Sequence, residues 1–276
     1  MSITQESTSR TVKLSGGEVH YNEAGQGHPV VFLHGSGPGA TGWSNFAPNI
    51  EPLSAKFRVL AVDMPGWGAS YPVKATERNH PAVAAEFLDA LGIEKAAFVG
   101  NSMGGATTLN FAVQYPDRMS HLITMGAGAG GVKLFGPGDG PTEGLKILVE
   151  GYRDPSPATM ARLVDIMTFN GGENSESLAR QRSENAKANQ THLDNFLAGL
   201  GAGRIWPGEE ELAGITAPSL IVHGRDDRVV HFENSLKLVS LIPNSRLVLF
   251  NRCGHWAQLE HAAEFNRLVE QFVENN

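Results

Sequence analysis

The stretch that decides the fold is Lys95-Ala-Ala-Phe-Val-Gly-Asn-Ser-Met-Gly-Gly105. An apolar run that reads as a buried strand, Lys95 to Val99, meets Gly100-Asn101-Ser102-Met103-Gly104, and a helical pattern follows from about Ser102 to Tyr115. A serine in such a G-x-S-x-G segment sits on a sharp strand-to-helix turn, so its neighbours must be small enough for the backbones to approach. The turn leaves the hydroxyl exposed at a helix N-terminus, where partial positive charge favours a developing anion. Five residues alone are a weak signal, and the bland alternative is a Gly-rich turn. The strand before and the helix after supply the context the chemistry requires.

Working outward, short apolar runs alternate with helical patterns, as in an α/β sheet built largely from parallel strands. Thr11 to Leu14 and residues 18–24 read as an opening antiparallel pair. Further strands are expected at Pro29–Leu33, Phe57–Asp63, His121–Met125, Ser219–His223 and Arg246–Phe250. The chain closes with an amphipathic helix, Ala262 to Val273, whose Phe265, Leu268, Val269 and Phe272 recur at helical spacing. Residues 132–212 differ in character: they open with Gly136-Pro-Gly-Asp-Gly-Pro141 and continue as short, polar helical patterns. A segment that long between two core strands is too large for a simple loop. The expected layout is a core of residues 1–131 and 213–276 with a helical lid at 132–212.

If Ser102 is a nucleophile, an acid and then a histidine should follow in that order. Gly224-Arg-Asp-Asp227 comes directly after a buried strand. Two aspartates compete there: Asp227 occupies the usual acid position, and Asp226 is expected to cap the turn. Gly254-His255-Trp256 follows the last strand and supplies the base. Asp227 would hold one imidazole nitrogen of His255 while the other takes the Ser102 proton. Acyl chemistry also needs two donors for the oxyanion. One is the backbone N–H of Met103; the other should come from His34-Gly-Ser36-Gly37-Pro-Gly-Ala40, from Ser36 or alternatively Gly37.

The chain has 276 residues and a formal charge of −7, without any run of Lys or Arg. That balance argues against general binding to nucleic acid or anionic membranes. No segment reaches the roughly 18–20 consecutive apolar residues of a membrane helix, and Met1 to Arg10 lacks the apolar stretch of a secretory signal. With Cys253 alone no intrachain disulfide can form, and a cytoplasmic home is expected. Gly126-Ala-Gly-Ala-Gly-Gly131 satisfies a dinucleotide fingerprint formally, but no helix start follows it, so nucleotide binding is not expected. Cys253 reads as a packing residue and Glu209-Glu-Glu211 as a solvated helix start. No cluster has metal-ligand spacing, so no metal is expected.

His34-Gly-Ser-Gly-Pro-Gly-Ala40, Trp43-Ser-Asn45, Gly100-Asn-Ser-Met-Gly-Gly105 and Cys253-Gly-His-Trp256 together resemble the meta-cleavage product hydrolases, carbon–carbon bond hydrolases of bacterial aromatic degradation with the α/β-hydrolase fold. The resemblance covers about 20–131 and 213–274 and is weak in the lid. It implies no cofactor and a 2-hydroxy-6-oxohexa-2,4-dienoate substrate, split into a 2-hydroxypenta-2,4-dienoate and a carboxylic acid. It also implies Arg182 on the substrate carboxylate, with Arg180 as the alternative. Asn45, Asn101 and Trp256 would hold the neighbouring oxygen, unless they only satisfy their own loops. The family commonly oligomerises, which makes a homodimer the expectation. A carboxylesterase or lactonase on the same triad is the competing enzyme, and a receptor that uses the pocket without turnover is the competitor from another class.

Overall fold

The computed structural model describes residues 3–130, 134–136, 141–171, 175–201 and 205–276. Met1, Ser2, Gly131–Lys133 of the Gly-rich run and Pro137–Gly140 of the Gly/Pro-rich opening lie outside these. Eight strands form one sheet: β1 (Ser9–Leu14), β2 (Gly17–Ala24), β3 (Pro29–Leu33), β4 (Arg58–Val62), β5 (Ala96–Asn101), β6 (Met119–Met125), β7 (Ser219–Gly224) and β8 (Ser245–Phe250). Their order is β1-β2-β4-β3-β5-β6-β7-β8. The first two pairings, β1 with β2 and β2 with β4, are antiparallel, and the remainder are parallel. Each expected strand is present, with ends displaced by no more than two residues.

The strand runs read as continuously apolar because both faces of the sheet are covered. Successive side chains point to opposite faces, and the burial follows that period. Val31, Leu33, Leu60 and Phe98 pack in one cluster, whereas Val30, Phe32, Val59 and Val99 pack in another. The helices that cover them include α2 (Gly42–Ser54), α3 (His80–Ala90) and α4 (Met103–Gln114), after the short α1 (Gln5–Thr8) at the N-terminus, which no pattern in the sequence announces. Between β6 and β7 the chain makes α5 (Glu143–Arg153), α6 (Pro157–Met167), α7 (Ser175–Lys187), α8 (Gln190–Ala198) and α9 (Glu209–Ala213), with no strand among the described residues. This layer has its own apolar cluster, including Leu148, Met160, Leu163 and Leu193, into which Val229 and Trp256 of the core also pack. Three helices complete the chain: α10 (Glu233–Leu241), α11 (Ala257–Glu260) and α12 (Ala262–Asn275). Residues 126–130 after β6 form no helix.

Candidate active site

The turn at the end of β5 has the strain its sequence implies. Ser102 sits at φ 52°, ψ −112°, a region non-glycine residues rarely enter, and α4 begins at the next residue. The turn closes only because its flanks lack side chains. A Cβ on Gly100 would stand 2.3 Å from Gly104 O, and one on Gly104 would stand 2.0 Å from Leu33 O. The Ser102 amide donates to Met125 O at 2.9 Å, fixing the turn against the end of β6.

Asp227 and His255 arrive on the loops after β7 and β8. Asp227 Oδ2 accepts from His255 Nδ1 at 2.7 Å, and Asp227 Oδ1 accepts the Val229 and Val230 amides at 2.7 and 2.9 Å. Burial opposes ionisation of Asp227, but the adjacent imidazoles and their hydrogen bonds outweigh it and hold the carboxyl well below the usual carboxylate range. The turn cap expected of Asp226 therefore belongs to Asp227, because only Asp227 faces the two free amides. Asp226 instead contributes its amide to Cys253 O at 2.9 Å, tying the acid loop to the base loop, while its Oδ2 is buried without a partner.

Asn101 ties the Ser102 turn to the His255 loop. Its Nδ2 donates to Met125 O and to His255 O, both at 3.2 Å, so the residue before Ser102 bonds the backbone of the histidine. The imidazole itself lies over the end of β6: a Cβ on Gly126 would come within 2.8 Å of His255 Nδ1. The Ser102 hydroxyl makes no hydrogen bond among the described residues, as in resting sites whose catalytic contacts tighten on substrate binding.

The loop after β3 is held from two sides. His34 is buried and its pKa is pushed down to about 4, mainly by desolvation, so the ring is neutral. Its Nδ1 donates to Gly35 O at 2.8 Å and its Nε2 accepts the Met64 amide at 3.0 Å. Pinning that carbonyl turns the N–H of the same peptide, that of Ser36, the opposite way. One residue on, Ser36 O accepts from Tyr152 Oη of α5 at 2.6 Å, and Tyr152 in turn accepts from Trp67 Nε1 at 2.8 Å. Ser36, Ser102 and Met103 all line one cleft of about 1360 Å³. Gly37 is not on its wall, and its Cβ position instead lies 3.0 Å from Arg182 Nη1.

Arg182 and Arg180 separate cleanly. Arg180 is exposed and pairs with Glu176 at 3.2 Å. Arg182 is 1% exposed, with its guanidinium 4.5 Å from the centre of the Trp256 ring and Nη1 donating to Pro38 O at 3.4 Å. No acidic side chain pairs with it among the described residues, and its Nε is buried without a partner. Burial lowers its pKa to about 10, which leaves it cationic at neutral pH. Asn45, Asn101 and Trp256 are buried as deeply, and none of the three lies on the cleft wall. Asn45 Nδ2 is spent on Thr41 O at 3.0 Å, yet Asn45 Oδ1 and Asn101 Oδ1 are both buried and unpartnered. Cys253 is fully buried, and burial pushes its thiol up, as befits a packing residue. Glu209 and Glu211 stay at the start of α9, the former paired with Lys237 at 2.7 Å.

Sequence reading missed His223, the second imidazole on the acid. Its Nε2 stands 3.1 Å from Asp227 Oδ2 and 2.8 Å from Val230 O, and its Nδ1 stands 2.6 Å from Ser235 Oγ. The signal was present in Ile221-Val-His223-Gly, where a histidine ends an apolar strand four residues before the acid. Taken together, Ser36, Ser102 and Met103 line the cleft, while the Asp227-bound imidazole of His255 and the buried Arg182 are not on its wall.

Comparisons with known proteins agree with this geometry. The family model described as the alpha/beta hydrolase fold matches residues 28–262. A 2-hydroxy-6-oxononadienedioate/2-hydroxy-6-oxononatrienedioate hydrolase of Cupriavidus pinatubonensis is 44% identical over 284 residues, covering 99% of this chain and 98% of that one. A 2-hydroxy-6-oxo-6-phenylhexa-2,4-dienoate hydrolase of Comamonas testosteroni is 43% identical over 98% of each chain. Among solved structures, a meta-cleavage product hydrolase of Pseudomonas fluorescens IP01 superposes with a TM-score of 0.84 at 32% identity, over 96% of this chain and 97% of that one. No helix among the described residues is long and apolar enough to cross a membrane. The chain belongs to the α/β-hydrolase fold family and, within it, to the meta-cleavage product hydrolases.

Proposed function

We propose that this protein hydrolyses the C5–C6 bond of 2-hydroxy-6-oxohexa-2,4-dienoate-type ring-fission products, releasing a 2-hydroxypenta-2,4-dienoate and a carboxylic acid. The observation that carries the reading beyond a generic esterase is Arg182: a buried guanidinium with no acidic partner among the described residues, against the same loop after β3 that Asn101 Oδ1 approaches at Gly35. A buried cation is costly unless something pairs with it, and a substrate carboxylate fits.

Cleaving a carbon–carbon bond leaves an electron pair on carbon, so the dienol must first become the 2-keto tautomer, its hydroxyl proton moving to C5. Arg182 holds the C1 carboxylate bidentately, and the Asn45 and Asn101 side chains face the neighbouring oxygen. Ser102 attacks the 6-oxo carbon as His255 takes its proton, and the oxyanion rests on the Met103 and Ser36 amides. The C5–C6 bond then breaks, its electrons pass into the conjugated 2-keto system, and the proton held by His255 completes the dienoate. Water, activated by the same imidazole, releases the acid and returns Ser102. Asp227 keeps His255 in the tautomer that faces Ser102. Residues 132–212 act as a helical lid above a core of residues 1–131 and 213–276, and the enzyme works in the cytoplasm as a homo-oligomer, a dimer being favoured by the family resemblance. Retention of a dimer mass in size-exclusion chromatography checks the last point.

The dienolate substrates are coloured, and cleavage removes the conjugation. Adding enzyme should bleach the visible absorbance of at least one of the alkyl-, aryl- or carboxyalkyl-substituted dienoates. A spectrum that stays unchanged across all three ends the reading. The acyl side is the open choice within it, because relatives named for a second carboxylate and relatives named for a phenyl group match almost equally well.

A further inference from the structure

Arg78 is, beside Arg182, the other arginine among the described residues with buried guanidinium nitrogens that lack a partner. It follows the short turn Ala75–Glu77 and lies over aromatic rings, its Cζ 4.6 Å from the Trp67 ring centre and 5.6 Å from that of Phe196. Its Nε and Nη2 are buried without hydrogen-bond partners. The side chain nonetheless lines the cleft that also reaches Ser36 and Ser102. Burial lowers its basicity, the direction expected of a cation with nothing to neutralise it.

The other charges on the cleft wall are accounted for. Glu209 pairs with Lys237 at 2.7 Å. Glu233 accepts the Leu134, Phe135 and Gly136 amides at 2.7, 2.7 and 2.8 Å and has His231 3.7 Å away. Glu77, the acid next to Arg78 in the chain, faces Lys74 at 3.6 Å. Arg78 is left as the unneutralised charge of the cleft among the described residues. It also connects to the reaction centre, for Trp67 beneath it bonds Tyr152, which bonds Ser36 O. The Ser36–Gly39 loop thus touches Arg182 directly and connects to Arg78 through Tyr152 and Trp67, each arginine lying over a tryptophan.

We infer that Arg78 is an anion subsite for the acyl half of the substrate, so that the group on C6 is a carboxyalkyl chain and the enzyme prefers a dianionic dienedioate. This rests on the hydrolase reading above and sharpens it. The C1 carboxylate lies at Arg182, the 6-oxo carbon at Ser102, and the terminal carboxylate reaches Arg78 through the cleft. The aromatic rings under the guanidinium hold its plane and shed water, which strengthens a charge-assisted hydrogen bond.

The test compares 2-hydroxy-6-oxonona-2,4-dienedioate with 2-hydroxy-6-oxonona-2,4-dienoate, the same chain ending in methyl. In the wild-type enzyme kcat/KM should favour the dioate by about tenfold or more. In Arg78→Met, which keeps the apolar stem over Trp67, that ratio should fall to near one through KM, and Arg78→Lys should recover part of it. Product inhibition of the wild type supplies a readout that needs no variant: succinate should inhibit about tenfold more strongly than butyrate. Equal turnover of the two substrates by the wild type, or a ratio unmoved in Arg78→Met, overturns the inference while leaving the hydrolase standing. If the wild type cleaves neither, the hydrolase reading falls, and this inference with it.

Discussion

Replacing His223 by leucine is expected to slow turnover without touching any atom that meets substrate. Both neighbours of His223 Nε2, Asp227 Oδ2 at 3.1 Å and Val230 O at 2.8 Å, are acceptors, so the ring proton resides there. Nδ1 then accepts from the Ser235 hydroxyl at 2.6 Å, a tautomer assigned from the network. The ring is fully buried and forms a brace behind Asp227. Leucine removes a hydrogen bond to a carboxylate, worth about 1.5–3 kcal/mol, and strands Val230 O and Ser235 Oγ at about 1–3 kcal/mol each. A stability loss of at least about 3.5 kcal/mol follows. Asp227 keeps three donors, His255 and the Val229 and Val230 amides, so it stays in place but can tilt. If about 1.4–2 kcal/mol of that constraint reaches the transition state, kcat drops about 10- to 30-fold with KM little moved. His223→Gln, which retains an N–H donor, should recover part of kcat. Initial rates of dienoate bleaching at saturating substrate, paired with thermal midpoints, supply the measurement. A folded His223→Leu enzyme with kcat within about twofold of wild type would refute the reasoning, since that is less than one such hydrogen bond.

Ser102→Ala should still bind dienoate, seen as a spectral shift of the bound ligand, but lose at least about three orders of magnitude in turnover; full activity would remove Ser102 as the nucleophile. Arg182→Gln should raise KM for dienoates about 100-fold by deleting the charge that meets the C1 carboxylate, with a far smaller effect on an uncharged aryl ester. Parallel losses on both would make Arg182 a packing residue. His34 and His80 are both buried with pKa pushed down to about 4, so the unfolded chain binds their protons first as pH falls. Their contribution is complete above the unfolded value near 6.5, declines as pH drops, and is gone at about 4; between pH 7 and 5 each should cost about 2 kcal/mol of stability. Urea unfolding at the two pH values measures this, and a flat profile would show that these rings are not neutral in the fold.

How much of this site could be read from the chain depended on what each residue answers to. The turn at Ser102 was legible because its constraint is local: two backbones cannot approach to 2.0–2.3 Å of a Cβ position unless Gly100 and Gly104 are glycines. The order of acid and base was legible for a related reason, since both ride on loops at the ends of apolar strands. The choice between Arg182 and Arg180 was open only while the helix was unknown. Residues two apart on an α-helix lie about 200° around it. Ala179, Arg182, Ser183 and Ala186 of α7 form the buried face, while Arg180 shares the opposite one with Glu176. The braces behind the machinery were not legible, because each depends on a contact that sequence distance hides. Tyr152 reaches Ser36 from 116 residues away, and Asn101 reaches His255 from 154. Asp226 and Asp227 show the limit most sharply: both precede free amides and either could cap the turn. The choice is made by which carboxylate also faces His223 and His255, and so by the packing of β7 against β8. The same carboxylate accepts from His255 and caps its own loop, so any substitution at Asp227 must disturb both at once.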